Sequence, residues 1–135
     1  MGNSASLNST AATCKINSNR MQQCLRDENT FIIHTMTPDR EHCLIEGTLT
    51  AHEEVHELNR ALETLGASRP VVIYGKNACD GTIVTKYNQL AQLGFSNVLV
   101  YPGGMFEWLL LQDVYGSDKF PTKGQCVEIL DYETI

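Results

Sequence analysis

Apolar residues recur along the chain in two periods, and the clearest helical one lies between Thr50 and Leu65. Val55, Leu58, Leu62 and Leu65 form a stripe at helical spacing. Thr50 and Glu53 have the spacing of a capping box, and Gly66 supplies the stop. After Pro70 the pattern changes to "VVIYG", a β-branched run that predicts a central parallel strand. A polar loop, Lys76–Thr82, leads into a second helix with Ile83, Tyr87, Leu90 and Leu93 inward, ended by Gly94. "NVLVY" (Asn97–Tyr101) predicts another strand and "PGG" (Pro102–Gly104) a sharp turn. Met105–Gly116 predicts a third helix, apolar over most of its surface, so it is either deeply packed or partly an interface.

Upstream, Ser18 can cap a short helix with Met21, Cys24 and Leu25 facing inward. Thr30–Met36 and Cys43–Leu49 read as short strands, the second running into a turn at Gly47. "GQCVEILDYETI" at the C-terminus adds a last strand or wraps the surface. The order α-β-β-α-β-α-β-α argues for a parallel sheet covered on both faces. Ligands in such sheets sit at the carboxyl ends of strands, which points to Gly75–Thr82.

Residues 1–14 are small and polar with no usable periodicity and are expected to form a flexible tail, leaving residues 15–135 as one domain. The tail begins M-G-N-S-A-S, the pattern of N-myristoylation, with Gly2 as the acylated residue and Ser6 in place. One such chain anchors only marginally, so a second signal is needed; Cys14 is an unspecific candidate for palmitoylation. No apolar run approaches the length of a membrane span, and no secretory h-region follows the start. Formal net charge is −6, from 10 Lys+Arg against 16 Asp+Glu, which argues against a nucleic-acid partner. The five cysteines, Cys14, Cys24, Cys43, Cys79 and Cys126, are irregularly spaced without a C-x-x-C. That predicts free thiols in a reducing compartment, a cytoplasmic protein with or without membrane association.

Cys79 is the candidate nucleophile, since amides at a helix N-terminus favour a thiolate there. Asp80 beside it opposes that, and no arginine follows at the spacing of an anion cradle; the first cation after it is Lys86, one residue beyond that spacing. Asp80 and Thr82 are also natural helix caps. "GKNACDGT" contains Gly, Lys and Thr in the wrong order for a P-loop. "HEEVH" (His52–His56) matches the H-E-x-x-H zinc-protease motif, with Glu63 as a conceivable third ligand. Against it, Glu53 is explained by capping, Asn59 breaks the metzincin extension, and His52 falls in the first turn. No metal or other cofactor is therefore expected. No G-x-S-x-G elbow occurs, and Phe106 and Trp108 read as core.

From about Ile16 to Gln112 the chain resembles a rhodanese-like domain. Leu90–Val98 fits the family's L-x-x-x-G-[FY]-x-N-V turn, and Gly103–Trp108 fits its G-G-x-x-x-W close. "FIIHTM" stands where the family has an I-D-x-R strand, and "CLIEGT" where it has G-H-I-x-G-A. The resemblance implies a three-layer α/β/α fold around a central, mainly parallel sheet of about five strands. It also implies where sulfurtransfer chemistry belongs, and this chain departs there. Gly75 replaces the persulfide-forming cysteine after Tyr74, His34 and Met36 replace the Asp and Arg, and Leu44 replaces the His. The expected function is a non-catalytic binding domain for a protein partner or for a second copy of itself. Its ligand-binding loop would comprise Gly75, Lys76, Asn77, Ala78, Asp80, Gly81 and Thr82. The alternatives are a divergent sulfurtransferase or phosphatase-like enzyme using Cys79 and, remotely, a zinc protease.

Overall fold

The computed structural model describes residues 14–64, 66–126 and 128–133. The elements are α1 (Ser18–Leu25), β1 (Phe31–His34), β2 (Cys43–Ile45), α2 (Ala51–Glu63), β3 (Val71–Tyr74), α3 (Thr82–Leu93), β4 (Val98–Tyr101), α4 (Gly104–Tyr115) and β5 (Thr122–Gly124). Short 3-10 turns occupy Pro38–Arg40 and Ile129–Tyr132. Residues 1–13 of the expected tail, Gly2 among them, lie outside the described residues, as does Leu65; Cys14, the last of that tail, is described, and its carbonyl accepts from the Val100 amide at 3.0 Å.

β1, β3 and β4 form a three-stranded parallel sheet in the order β1-β3-β4. The expectation of about five strands in one sheet is corrected here. β2 leaves this sheet and pairs antiparallel with β5. Single parallel bridges, Lys15 to Val100 and Leu49 to Ile33, extend each edge of the main sheet by one residue. The Cys43–Leu49 segment is thus split: its first three residues join β5, and its last touches β1.

Alternation along the strands builds two cores. Ile32, Val72, Tyr74 and Tyr101 face α1, α4 and the C-terminal segment, together with Met21, Met105, Trp108 and Phe120. Ile33, Val71, Ile73, Val98 and Val100 face α2 and α3, where Leu58, Ala61, Tyr87 and Leu90 pack. Trp108 is fully buried and donates its ring N–H to the Pro121 carbonyl at 3.0 Å, which joins α4 to the approach of β5.

Several helix readings change in detail. Asn17, not Ser18, caps α1, its side chain accepting from the Arg20 amide at 2.9 Å. The Thr50–Glu53 capping box is present. Val55 and Leu93 are 62% and 56% exposed, so the stripes are narrower than the spacing suggests. On α2 the inner face is completed by Ala61 and by Glu54, whose carboxylate is paired with Lys86 of α3 at 2.6 Å. α3 ends at Gly94 in the left-handed conformation, as expected.

The free-thiol expectation fails for two of the five cysteines. Cys43 and Cys126 form a disulfide with Cα atoms 4.9 Å apart and 83 positions of chain between them. Antiparallel pairing sets Cys43 opposite Gly124, and the Gln125 amide donates to the His42 carbonyl at 2.7 Å. The last strand therefore delivers Cys126 to Cys43, a juxtaposition that no spacing rule exposes. Cys14, Cys24 and Cys79 are free.

Candidate functional site

In-register pairing aligns His34, Tyr74 and Tyr101 at the carboxyl ends of the three parallel strands. The next residues, Thr35, Gly75 and Pro102, consequently share one rim of the sheet. Gly104, at φ +65°, lets the following turn press onto the loop backbone. The Met105 and Phe106 amides donate to the Gly75 and Lys76 carbonyls, each at 3.0 Å. These bonds satisfy the first turn of α4 and fix the entry to the loop.

Within the loop, Asp80 is the organising side chain. Its Oδ2 accepts from the Lys76 amide at 2.9 Å. Its Oδ1 accepts from the Thr82 amide at 3.0 Å and from the Thr82 hydroxyl at 2.6 Å. The Thr82 hydroxyl also lies 2.7 Å from Thr35 Oγ1. Burial pushes the Asp80 carboxyl up, but these hydrogen bonds outweigh it and hold the group below the usual carboxylate range. Asp80 thus acts as the expected cap of α3 while Gly81 occupies the formal cap position.

The carboxylate fills the space in front of Gly75. A Cβ placed on Gly75 would lie closer than 3.0 Å to Asp80 Oδ2 and to Thr35 Oγ1. The loop amides that would cradle an anion at this position already hold one that belongs to the chain.

Cys79 is free and exposed, whereas Gly75 is buried. Its amide donates to Asn77 Oδ1 at 2.9 Å, and the Asn77 Nδ2 donates to the Tyr132 carbonyl at 2.8 Å. Asn77 is buried, whereas Ala78 and Gly81 are exposed. Lys86 is paired with Glu54 at 2.6 Å. The structure therefore brings Gly75, Lys76, Asp80 and Thr82 together and leaves Cys79 outside.

His34 and Met36 have taken a structural arrangement. His34 is buried, its Nδ1 accepting from the Met36 amide at 3.0 Å. That fixes the proton on Nε2, which donates to Glu41 Oε2 at 2.7 Å. The same Glu41 oxygen accepts from Ala51 N at 2.5 Å, at the start of α2. Partial burial pushes the Glu41 carboxyl up, yet the His34 and Ala51 hydrogen bonds prevail and lower it. Leu44 is fully buried. Nearby, the buried Tyr74 hydroxyl bonds Thr48 at 2.8 Å and the Ile45 amide at 3.1 Å, and burial raises the phenol well above its ordinary range.

His52 and His56 are both exposed on α2. Glu53 is engaged with the Thr50 amide at 2.9 Å. Among the described residues, no group of three or more His, Cys, Asp or Glu side chains is placed to hold a metal ion.

Sequence reasoning missed Thr35, Glu41, Arg40 and Tyr132 as neighbours of this rim. Thr35 was hidden because its partner Thr82 lies 47 positions on, and Glu41 because its partners His34 and Ala51, 7 and 10 positions away, match no local motif. Only the Asp80-Gly81-Thr82 turn pattern carried a readable local signal, and it suggested a cap without suggesting an inward carboxylate.

A parallel α/β/α sheet with a strand–loop–helix rim at its carboxyl edge defines the class. The model of one family, Rhodanese-like domain, matches residues 19–111. The chain belongs to the rhodanese-like domain family. Its fold is similar to that of the Alr3790 protein from Anabaena sp., at TM-score 0.61 and 22% identity, covering 87% of this chain and 83% of that one. It is also similar to the BH2092 protein from Bacillus halodurans, at TM-score 0.63 and 13% identity, covering 92% and 87%. The EanB Y353A variant, solved in complex with ergothioneine, aligns at TM-score 0.54 and 16% identity, over 85% of this chain and 33% of that one. The curated proteins contain no match.

Proposed function

We propose that this chain is a non-catalytic rhodanese-like binding domain for a protein partner or a second copy of itself. In this reading it is tethered to the cytoplasmic face of a membrane through an acyl group on Gly2. The observation that carries the first part is the Asp80 carboxylate seated where a nucleophile on position 75 would project. A sulfurtransferase needs a thiolate there, held by loop amides. Here the thiol is absent and the amides are taken.

Leu110, Val114 and Tyr115 of α4 are exposed, and they supply the apolar surface for the proposed contact. Free thiols no longer argue for the cytoplasm, given the Cys43–Cys126 disulfide. The M-G-N-S-A-S start remains the support for that placement. No helix among the described residues is long and apolar enough to cross a membrane.

Incubation with thiosulfate and cyanide should yield no thiocyanate above a protein-free blank. Turnover that disappears in Cys79→Ser would overturn the reading in favour of a displaced-thiol enzyme. Gly75→Cys alone should remain inactive and lose about 1–3 kcal/mol through the forced contact with Asp80. The loss in Gly75→Cys/Asp80→Gly should be smaller than the sum of the losses in the two single variants, because the contact disappears with Asp80. The tether predicts that the full chain, co-expressed with an N-myristoyltransferase, gains a myristoyl group at Gly2 by intact mass. Gly2→Ala should remove the mass and any membrane co-sedimentation; an unmodified wild-type chain would end this part of the proposal.

A further inference from the structure

We propose that the C-terminal segment from Cys126 to Tyr132 is a strap across the Gly75–Thr82 loop, latched by the Cys43–Cys126 disulfide and released by a dithiol reductant. The inference concerns access to the loop and stands whatever the loop binds.

The strap begins where the β2–β5 ladder ends. Gly124 pairs with Cys43, the Gln125 amide reaches the His42 carbonyl, and the disulfide is the last hold before the chain leaves the sheet. The Ile129–Tyr132 turn then lays its final residue at the loop. Tyr132 is 1% exposed, its ring lies under the Arg40 guanidinium at 5.0 Å, and its carbonyl accepts from Asn77. Because Asn77 also accepts from the Cys79 amide, one side chain ties the strap to the loop's turn.

Away from Tyr132 and Ile129, which packs against the core, the strap is thinly held. Glu128, Leu130, Asp131 and Glu133 are exposed, with Leu130 at 64%. Among the described residues, its turn is closed by the Asp131 amide donating to the Glu128 carbonyl and the following Glu133 amide donating to the Leu130 carbonyl. A single 3-10 turn with so little buried surface belongs among the segments that open before the core. The disulfide limits how far this one can move.

The latch is asymmetric towards reagents. Cys43 is fully buried, whereas Cys126 is half-buried and lines a surface cleft with Gln112, Asp113 and Ser117. A thiolate of the dithiol attacks Cys126 Sγ, the S–S bond breaks, and Cys43 leaves as a thiolate that takes up a proton. The reductant's second thiolate attacks its own sulfur in the mixed disulfide and expels Cys126. Two electrons pass to the protein, which gains two thiols, and the dithiol becomes a disulfide.

The test is amide hydrogen exchange on the full chain with and without dithiothreitol. Reduction should accelerate the Asp131 and Glu133 amides and the Lys76 and Cys79 amides by roughly tenfold or more through a local opening that low urea leaves unchanged, whereas Val72 and Ile73 in β3 exchange through the urea-sensitive global opening. Strap and loop amides that follow the urea dependence of β3, or that do not accelerate at all, overturn the proposal. A second arm keeps the disulfide closed. Asn77→Asp retains the acceptor for Cys79 and removes the donor to Tyr132, so the Asp131 and Glu133 amides should accelerate without reductant. Unchanged protection of those two amides in Asn77→Asp also overturns it.

Discussion

Gly104→Ala is expected to destabilise the domain by about 2–5 kcal/mol, seen as a fall in the urea midpoint. Two effects add. Gly104 sits at φ +65°, where an L side chain costs about 1–2 kcal/mol. A Cβ there would also lie 2.6 Å from the Gly75 carbonyl oxygen and 3.1 Å from the Asn77 amide nitrogen. These are backbone atoms that cannot rotate away, and overpacking of this kind costs about 1–3 kcal/mol. Relieving the clash would stretch the Met105 and Phe106 amide bonds to the loop. Gly94→Ala is the control. It shares a positive φ, +110°, but a Cβ meets nothing within 4 Å, so its loss should be clearly smaller. Equal losses in the two variants would remove the close-approach account of the turn.

Reduction of Cys43–Cys126 should lower unfolding free energy by about 4–5 kcal/mol in the loop-entropy account, at the high end of the range measured for disulfides. The size follows from the 83-position separation, which makes this cross-link a large restriction on the unfolded chain. Urea melts with and without dithiothreitol measure it, and Cys43→Ala/Cys126→Ala without reductant should resemble the reduced protein. An unchanged midpoint on reduction would mean that the cross-link does not form in solution. This global loss is distinct from strap release, because urea-sensitive exchange at β3 reports the first and urea-insensitive exchange at the strap reports the second.

Elements whose signal is local were legible from sequence. Thr50 with Glu53, the Val71–Tyr74 run and Gly94 each specify their own structure within a few residues, and each appears where expected. The family motifs added the order of layers. What escaped depends on contacts between distant segments. Ile45 and Leu49 look like parts of one strand, yet β5 claims the first part and β1 touches the last. Val55 has the right period to be buried, but Glu54 is drawn inward by Lys86 from another helix. The candidate site divides similarly. Its loop was found from strand order and from Gly75 standing in a cysteine's place. The direction of Asp80 required the positions of the Lys76 and Thr82 amides, which only the folded loop defines.

On the proposed non-catalytic reading, the carboxylate in front of Gly75 makes thiol chemistry at position 75 reachable only by a two-step path with an unrewarded middle. A cysteine restored at position 75 alone meets Asp80 and Thr35 at closer than 3.0 Å. Removal of Asp80 alone frees the Lys76 and Thr82 amides but leaves no nucleophile for them to serve. Each change depends on the other for its value, so selection acting on single substitutions finds no gain in either. In evolutionary terms the loop behaves as a ratchet, and the tooth is one aspartate.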